Sequence, residues 1–176
     1  MSEKTSDSGP QAGPENARGE TARSQLKLQQ ILVPIDFSAS SRKALHYALS
    51  FAQQYRAKLT LVHVVEPPMY PTELGYVPVE IESLNKSIQA TAEEKLRGLA
   101  QELIGSELLG QTLVRMGHPY QEVTQVAKEL EADLIVISTH GYTGLKHVLL
   151  GSTAERIVRH APCPVLTVRE REQDFV

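Results

Sequence analysis

Cysteine is almost missing from this chain. Cys163 stands alone among 176 residues, so no internal disulfide can form, as expected of a protein kept in a reducing cytosol. No apolar run approaches the about 18 residues that a membrane-crossing helix needs, and the N-terminus carries no apolar stretch of the kind a secretory signal has. A dense basic face is missing too. The formal net charge is −3, which speaks against nucleic acid as a partner. Two familiar phosphate-binding signatures, G-x-x-x-x-G-K-[ST] and G-x-G-x-x-G, occur nowhere. Together these absences lead to the expectation of a cytoplasmic protein with no membrane and no nucleic acid among its partners.

Residues 1 to 25 contain no Leu, Ile, Val or Phe. Such a stretch cannot bury enough apolar surface to offset the entropy of ordering it. Residues 1–28 therefore read as a disordered tail and 29–170 as one domain, a size that suits the usual range.

From Gln30 the texture changes. Ile31-Leu32-Val33-Pro34-Ile35 is a short apolar run ending at Asp36, and it reads as a strand buried on both faces. Ala44, Leu45, Ala48, Leu49 and Ala52 recur at helical spacing behind two candidate caps, Ser38 and Ser40. A second strand covers 59–65, and Pro67, Pro68, Pro71, Gly75 and Pro78 mark a long irregular connection. A helix over 79–104 and a weak strand near 111–115 follow. Gly117-His118-Pro119 opens a helix with proline where its missing N–H costs nothing. Val123, Val126, Ala127 and Leu130 form its buried stripe. Leu134–Ile137 is another apolar strand, 152–160 a helix, and Val165–Val168 the closing strand. Strands alternating with helices predict a parallel sheet covered on both faces. Ligands bind such sheets beyond the carboxyl ends of the strands, where strand order reverses. Asp36 and the loop from Ser138 to Ser152 both follow strand ends, so neighbouring strands would bring them into one crevice.

That loop reads Ser138-Thr139-His140-Gly141-Tyr142-Thr143-Gly144, then Leu145-Lys146-His147-Val148-Leu149-Leu150-Gly151-Ser152. Phosphate binding asks for backbone N–H groups aimed at one point that no side chain blocks. Glycine permits the approach, and a helix N-terminus adds about half a positive charge. Gly141 lies just past a strand, Gly151-Ser152 begins a helix, and Lys146 supplies a mobile cation. The same residues have a plainer reading: Ser152-Thr153-Ala154-Glu155 is also a capping box, and Gly141 and Gly144 also suit turns. His140 and His147 match no zinc spacing, and no protein-built metal site is expected. His63 reads as a packed, hydrogen-bonded histidine, Cys163 as inert packing between two prolines. Asp36 fits either a turn cap or a ligand contact.

Five separated segments now stand in order: Ile31 to Ser38, Leu61 to Val64, Gly117-His118-Pro119, the 138–152 loop, and Ala161 to Leu166. Together they resemble the universal stress protein family from about Gln30 to Arg169. The resemblance implies a Rossmann-like α/β fold, akin to the adenine-nucleotide α-hydrolases, with a five-stranded parallel sheet of order 3-2-1-4-5. ATP-binding members carry G-x-x-G, nine residues, then G-[ST]. Gly141, the nine residues Tyr142 to Leu150, and Gly151-Ser152 fit this pattern, while its first glycine falls on Ser138, a departure. The ligand implied is ATP, with Mg²⁺ accompanying its phosphates. The implied nucleotide-binding residues are Pro34, Asp36, Val64, Ile137, Ser138, His140, Gly141, Gly151, Ser152 and Thr153. Asp36 is expected by the ribose or adenine, Val64 and Ile137 around the adenine, and Thr153 near the phosphates. The family also implies a homodimer paired through the strand from Pro164 to Val168, an apolar strand whose open edge leaves backbone groups unpaired.

The function expected is an ATP-binding regulatory module of a stress response, whose bound state alters its surface for a regulatory protein partner that the sequence does not name. A phosphotransferase needs a base or water-orienting group and a metal at the leaving phosphate. Asp36 and His140 form no arrangement that assigns either role, so no catalytic residue is named. A slow ATPase or phosphotransferase is one alternative. A nucleotide-free dimeric stress protein is another, against which Gly151-Ser152 speaks.

Overall fold

A computed structural model describes residues 27–67, 79–139 and 150–169 of the chain. The tail to residue 26, the proline-rich stretch 68–78 and the loop residues 140–149 lie outside the described residues, as do 170–176. The elements run β1 (Gln30–Pro34), α1 (Ala39–Tyr55), β2 (Lys58–Val65), α2 (Val79–Leu103), β3 (Leu109–Met116), α3 (Pro119–Glu129), β4 (Leu134–Ser138), α4 (Ser152–His160) and β5 (Val165–Val168). All strand pairs are parallel, and the sheet order is β3-β2-β1-β4-β5. The five-stranded order implied by the family resemblance is the order found.

Alternation along the strands sorts the core into two layers, because successive side chains point to opposite faces. Ile31 and Val33 join Leu61 and Val136 on the face covered by α1 and α2, with Ala44, Leu45, Ala48 and Leu96. Leu32, Val62, Ile135 and Ile137 join Val123, Val126 and Ile157 of α3 and α4 on the other face. β4 is buried at every position, as a strand with helices on both sides must be. β3, at the sheet edge, has no fully buried position, which is why its sequence signal is weak. Ile35, read above as the end of the first strand, lies one residue beyond β1, yet its N–H still donates to Val62 O at 2.8 Å. Leu28, assigned above to the tail, is buried against the α1 face. Leu130, read as part of the α3 stripe, is the C-cap of that helix and packs, partly buried, against the same layer as Val123, Val126 and Ala127.

Ser38, of the two candidates, caps α1: its side chain accepts from Ser41 N at 3.1 Å. Ala44, Ala48 and Ala52 are fully buried, and these short side chains let the helix lie close to the sheet. Overfilling such a contact forces off-rotamer side chains or backbone shifts. Ala48→Leu is expected to destabilise the domain by roughly 1–3 kcal/mol, read as a lower urea midpoint at unchanged slope.

Candidate functional site

β1 is the strand at which the order reverses, since β2 lies on one side of it and β4 on the other. Beyond the carboxyl ends of β1 and β4 opens a cleft of about 290 Å³. Eight residues singled out in the sequence line it together: Pro34, Asp36, Val64, Ile137, Ser138, Gly151, Ser152 and Thr153. The other two, His140 and Gly141, lie outside the described residues, as does Lys146. Sequence reasoning missed Ser41, Glu66 and Pro119, which also line the cleft. Pro119 could have been found, because it opens the helix that follows β3, another strand end. Ser41 and Glu66 carry no motif.

Three helices start at this cleft, α3 with Pro119 at its first position, and the starts of α1 and α4 differ. At α1 a side-chain cap is formed inside the protein. Ser41 N is bound by Ser38 Oγ, and the Asp36 carboxylate accepts from Ser38 N at 3.0 Å and Ser38 Oγ at 2.6 Å. Asp36 thus makes the turn contact its plainer reading foresaw while it lines the cleft. At α4 the cap residue is Gly151, which has no side chain to offer, and Ser152 is already the first helical residue. The capping box read from Ser152-Thr153-Ala154-Glu155 is therefore not formed. It is one residue out of register, and Glu155 turns the other way to meet Arg159 at 2.8 Å. Glu155 N makes the first helical bond, to Gly151 O at 2.9 Å. The N–H groups of Ser152, Thr153 and Ala154 have no partner within the helix, and these three residues line the cleft.

Gly151 is needed for closeness rather than for an unusual backbone angle. Its φ is −65°, which any residue adopts, but a Cβ there would stand 3.1 Å from Thr139 O. Its N–H donates to that same oxygen at 2.8 Å, and Thr139 N donates to Val168 O at 2.9 Å. The start of α4 is thereby tied to the end of β4 and, through it, to β5.

On the β1 side the turn is strained. Phe37 has φ 63°, a left-handed conformation that costs an L residue about 1–2 kcal/mol. Its ring lies against that of His63, centroids 4.6 Å apart. His63 Nδ1 is 2.7 Å from Ile35 O; a carbonyl only accepts, so Nδ1 carries the proton and donates it. The packed, hydrogen-bonded histidine expected from the sequence is what is found, and it too lines the cleft.

Among the described residues no group of three or more His, Cys, Asp or Glu is placed to hold a metal. Cys163 is half-buried against the α3–α4 layer. Burial pushes its thiol pKa up, and the neighbouring Asp133 carboxylate adds to this, while a hydrogen bond to the Ile135 backbone opposes them. A thiol held protonated is a poor nucleophile, in keeping with a packing role.

An open parallel sheet with helices on both faces and a cleft at its reversal point defines a doubly wound α/β protein. The universal stress protein family model matches residues 27–169, and the chain belongs to that family. Universal stress protein MJ0531 of Methanocaldococcus jannaschii is 33% identical over 152 residues, spanning 83% of this chain and 85% of the relative. The solved structure of universal stress protein UspA from Lactobacillus plantarum matches with TM-score 0.70 at 29% identity, covering 82% of this chain and 100% of that one. A universal stress protein solved in complex with cAMP matches with TM-score 0.58 at 21% identity, over 81% of this chain and 98% of that one. This last is a likeness of fold alone.

The two helix starts give a paired test. Ser38→Ala removes a formed cap and should cost about 1 kcal/mol. Ser152→Ala removes no cap and should stay within about 0.5 kcal/mol of the parent. Chemical unfolding of both variants measures the difference.

Proposed function

We propose that the cleft is an ATP site and that the domain, residues 29–170, is a nucleotide-binding regulatory module. One observation carries the reading: the uncapped start of α4 lies in the same cleft as the apolar side chains of Val64 and Ile137. N–H groups with no partner within the helix, together with the helix dipole, favour an anion at Ser152 and Thr153. The apolar walls suit a flat base, in the way small-molecule sites combine apolar lining with a few aimed polar groups. Pro34 and Ser138 frame the cleft floor at the ends of β1 and β4, and Asp36 faces the ribose. His140 and Gly141, which lie outside the described residues, are assigned to the phosphates by the sequence pattern alone, and Mg²⁺ would accompany the phosphates with most of its waters retained. A neighbour sharing the fold was solved with cAMP; that likeness is one of fold, so the reading rests on the cleft itself. No lining residue is assigned a catalytic role, which favours a binding module over an ATPase. Its partners would be a second copy of the chain, joined through β5, and a regulatory protein that reads the bound state in the cytoplasm.

ATP with Mg²⁺ is expected to bind more tightly than GTP in calorimetry and to raise the unfolding temperature. At 100 times its Kd a ligand adds about 2.7 kcal/mol, so no heat and no protection at millimolar ATP would refute the site. Gly151→Val should abolish that binding while the domain stays folded, because its side chain would press on Thr139 O.

The dimer is tested by the mass of the wild-type protein in light scattering at micromolar concentration. Two chains are expected, since pairing along β5 satisfies two open edges about one two-fold axis. A mass of one chain refutes it.

A further inference from the structure

Asp36 cannot hold its own position. It sits between Ile35, where β1 has ended, and Phe37, whose backbone is in a strained left-handed conformation. A residue in such a conformation persists only where its surroundings over-determine it. On the α1 side Ser38 supplies part of that restraint through its N–H and hydroxyl, both donated to Asp36 Oδ1. On the strand side the restraint comes from β2. Ile35 N–H is held by Val62 O at 2.8 Å, and Ile35 C=O receives the proton of His63 Nδ1 at 2.7 Å. Two adjacent residues of β2 therefore grip both polar groups of the residue before Asp36. The His63 ring, seated against Phe37, touches the residue after it.

We propose that His63 is a positioning residue for the cleft: its Nδ1–H bond to Ile35 O fixes the Asp36 turn in the geometry that receives the ligand. The proposal rests on the ATP reading for its functional half, and on the apo protein for its structural half. Two features of the bond separate it from general packing. The donor is Nδ1, two bonds from Cβ, and an asparagine side-chain N–H stands at the same remove. A phenylalanine keeps an aromatic ring beside Phe37 but donates nothing.

The test uses the full chain and four proteins: wild type, His63→Ala, His63→Asn and His63→Phe. In the apo state, hydrogen exchange of the Ser38 amide reports the turn, because that N–H is held by Asp36 Oδ1. Exchange should quicken roughly tenfold in His63→Ala and His63→Phe and return toward wild type in His63→Asn, with Val33 of β1 unchanged as an internal control. The dissociation constant for ATP with Mg²⁺ should follow the same order. In an Asp36→Ala background, His63→Ala should change binding by less than about twofold, since residues acting as one unit do not add. Unchanged Ser38 exchange in His63→Ala, or full recovery in His63→Phe, overturns the proposal. So does an undiminished His63→Ala effect on binding without Asp36. If the wild type binds no ATP, the ATP reading fails, and the exchange series still decides whether His63 holds the turn.

Discussion

β1 and β4 lie side by side, in register at Ile31 with Leu134 and at Leu32 with Ile135, yet the chain leaves them toward opposite faces. After β1 it enters α1, packed with α2 on one side of the sheet. After β4 it reaches α4, packed with α3 on the other. Two neighbouring strands whose exits diverge leave a gap between them. The cleft is that gap. Its walls need no special sequence, because the apolar alternation that builds the two core layers also sets Val64 and Ile137 at its edge. What the sequence had to add is confined to the turns at the two strand ends.

Those turns are built in opposite ways. At the β1 exit Ser38 caps the helix by accepting from Ser41 N, and Asp36 in turn accepts from the Ser38 N–H and hydroxyl. At the β4 exit a glycine caps the helix, and the side chain that could have reached back instead pairs with Arg159 on the helix surface. A serine moved one position earlier would have closed α4 as Ser38 closes α1, and its Cβ would have met Thr139 O. The same close approach that favours glycine thus leaves the helix without a side-chain cap. Structure alone gains nothing from that choice, because a glycine cap in place of serine forgoes roughly a few tenths of a kcal/mol.

The sequence made the layered fold legible because its strongest signals are those of burial. Leu134 to Ile137 is apolar at every position because β4 is covered on both faces, and α1 shows its stripe because only one side of it touches the sheet. Where burial is partial the signal fades, as in β3, whose bounds were read too short. The site was legible through the family pattern rather than through chemistry alone. The spacing of Gly151 and Ser152 marked a helix start correctly but placed the cap one residue late, since a serine and a glutamate three apart look the same in either register. Ser41 and Glu66 reach the cleft through tertiary placement, and no local pattern announces it. His63 was read correctly as a packed histidine, but its partner, Ile35 O, is 28 residues away and is invisible before the sheet is assembled.

The two exits also give the cleft a direction. On the β1 side stands a carboxylate, Asp36, held by Ser38 and framed by a strained turn. On the β4 side stand three backbone N–H groups at the positive end of a helix dipole. A ligand with an anionic end and a hydroxyl-bearing end fits this polarity in one orientation only. In the reading proposed above, its anion would lie at Ser152 and Thr153 and its hydroxyl donors at Asp36. Reversal would set negative charge against the carboxylate and leave the helix donors facing groups that donate. In the same reading a nucleotide would set phosphate, ribose and base in that order, with the base beyond the ribose at the apolar wall of Val64 and Ile137. The hydrogen-bonded turn at the β1 exit and the glycine-capped helix start at the β4 exit are complementary in that reading: one end orients what the other attracts.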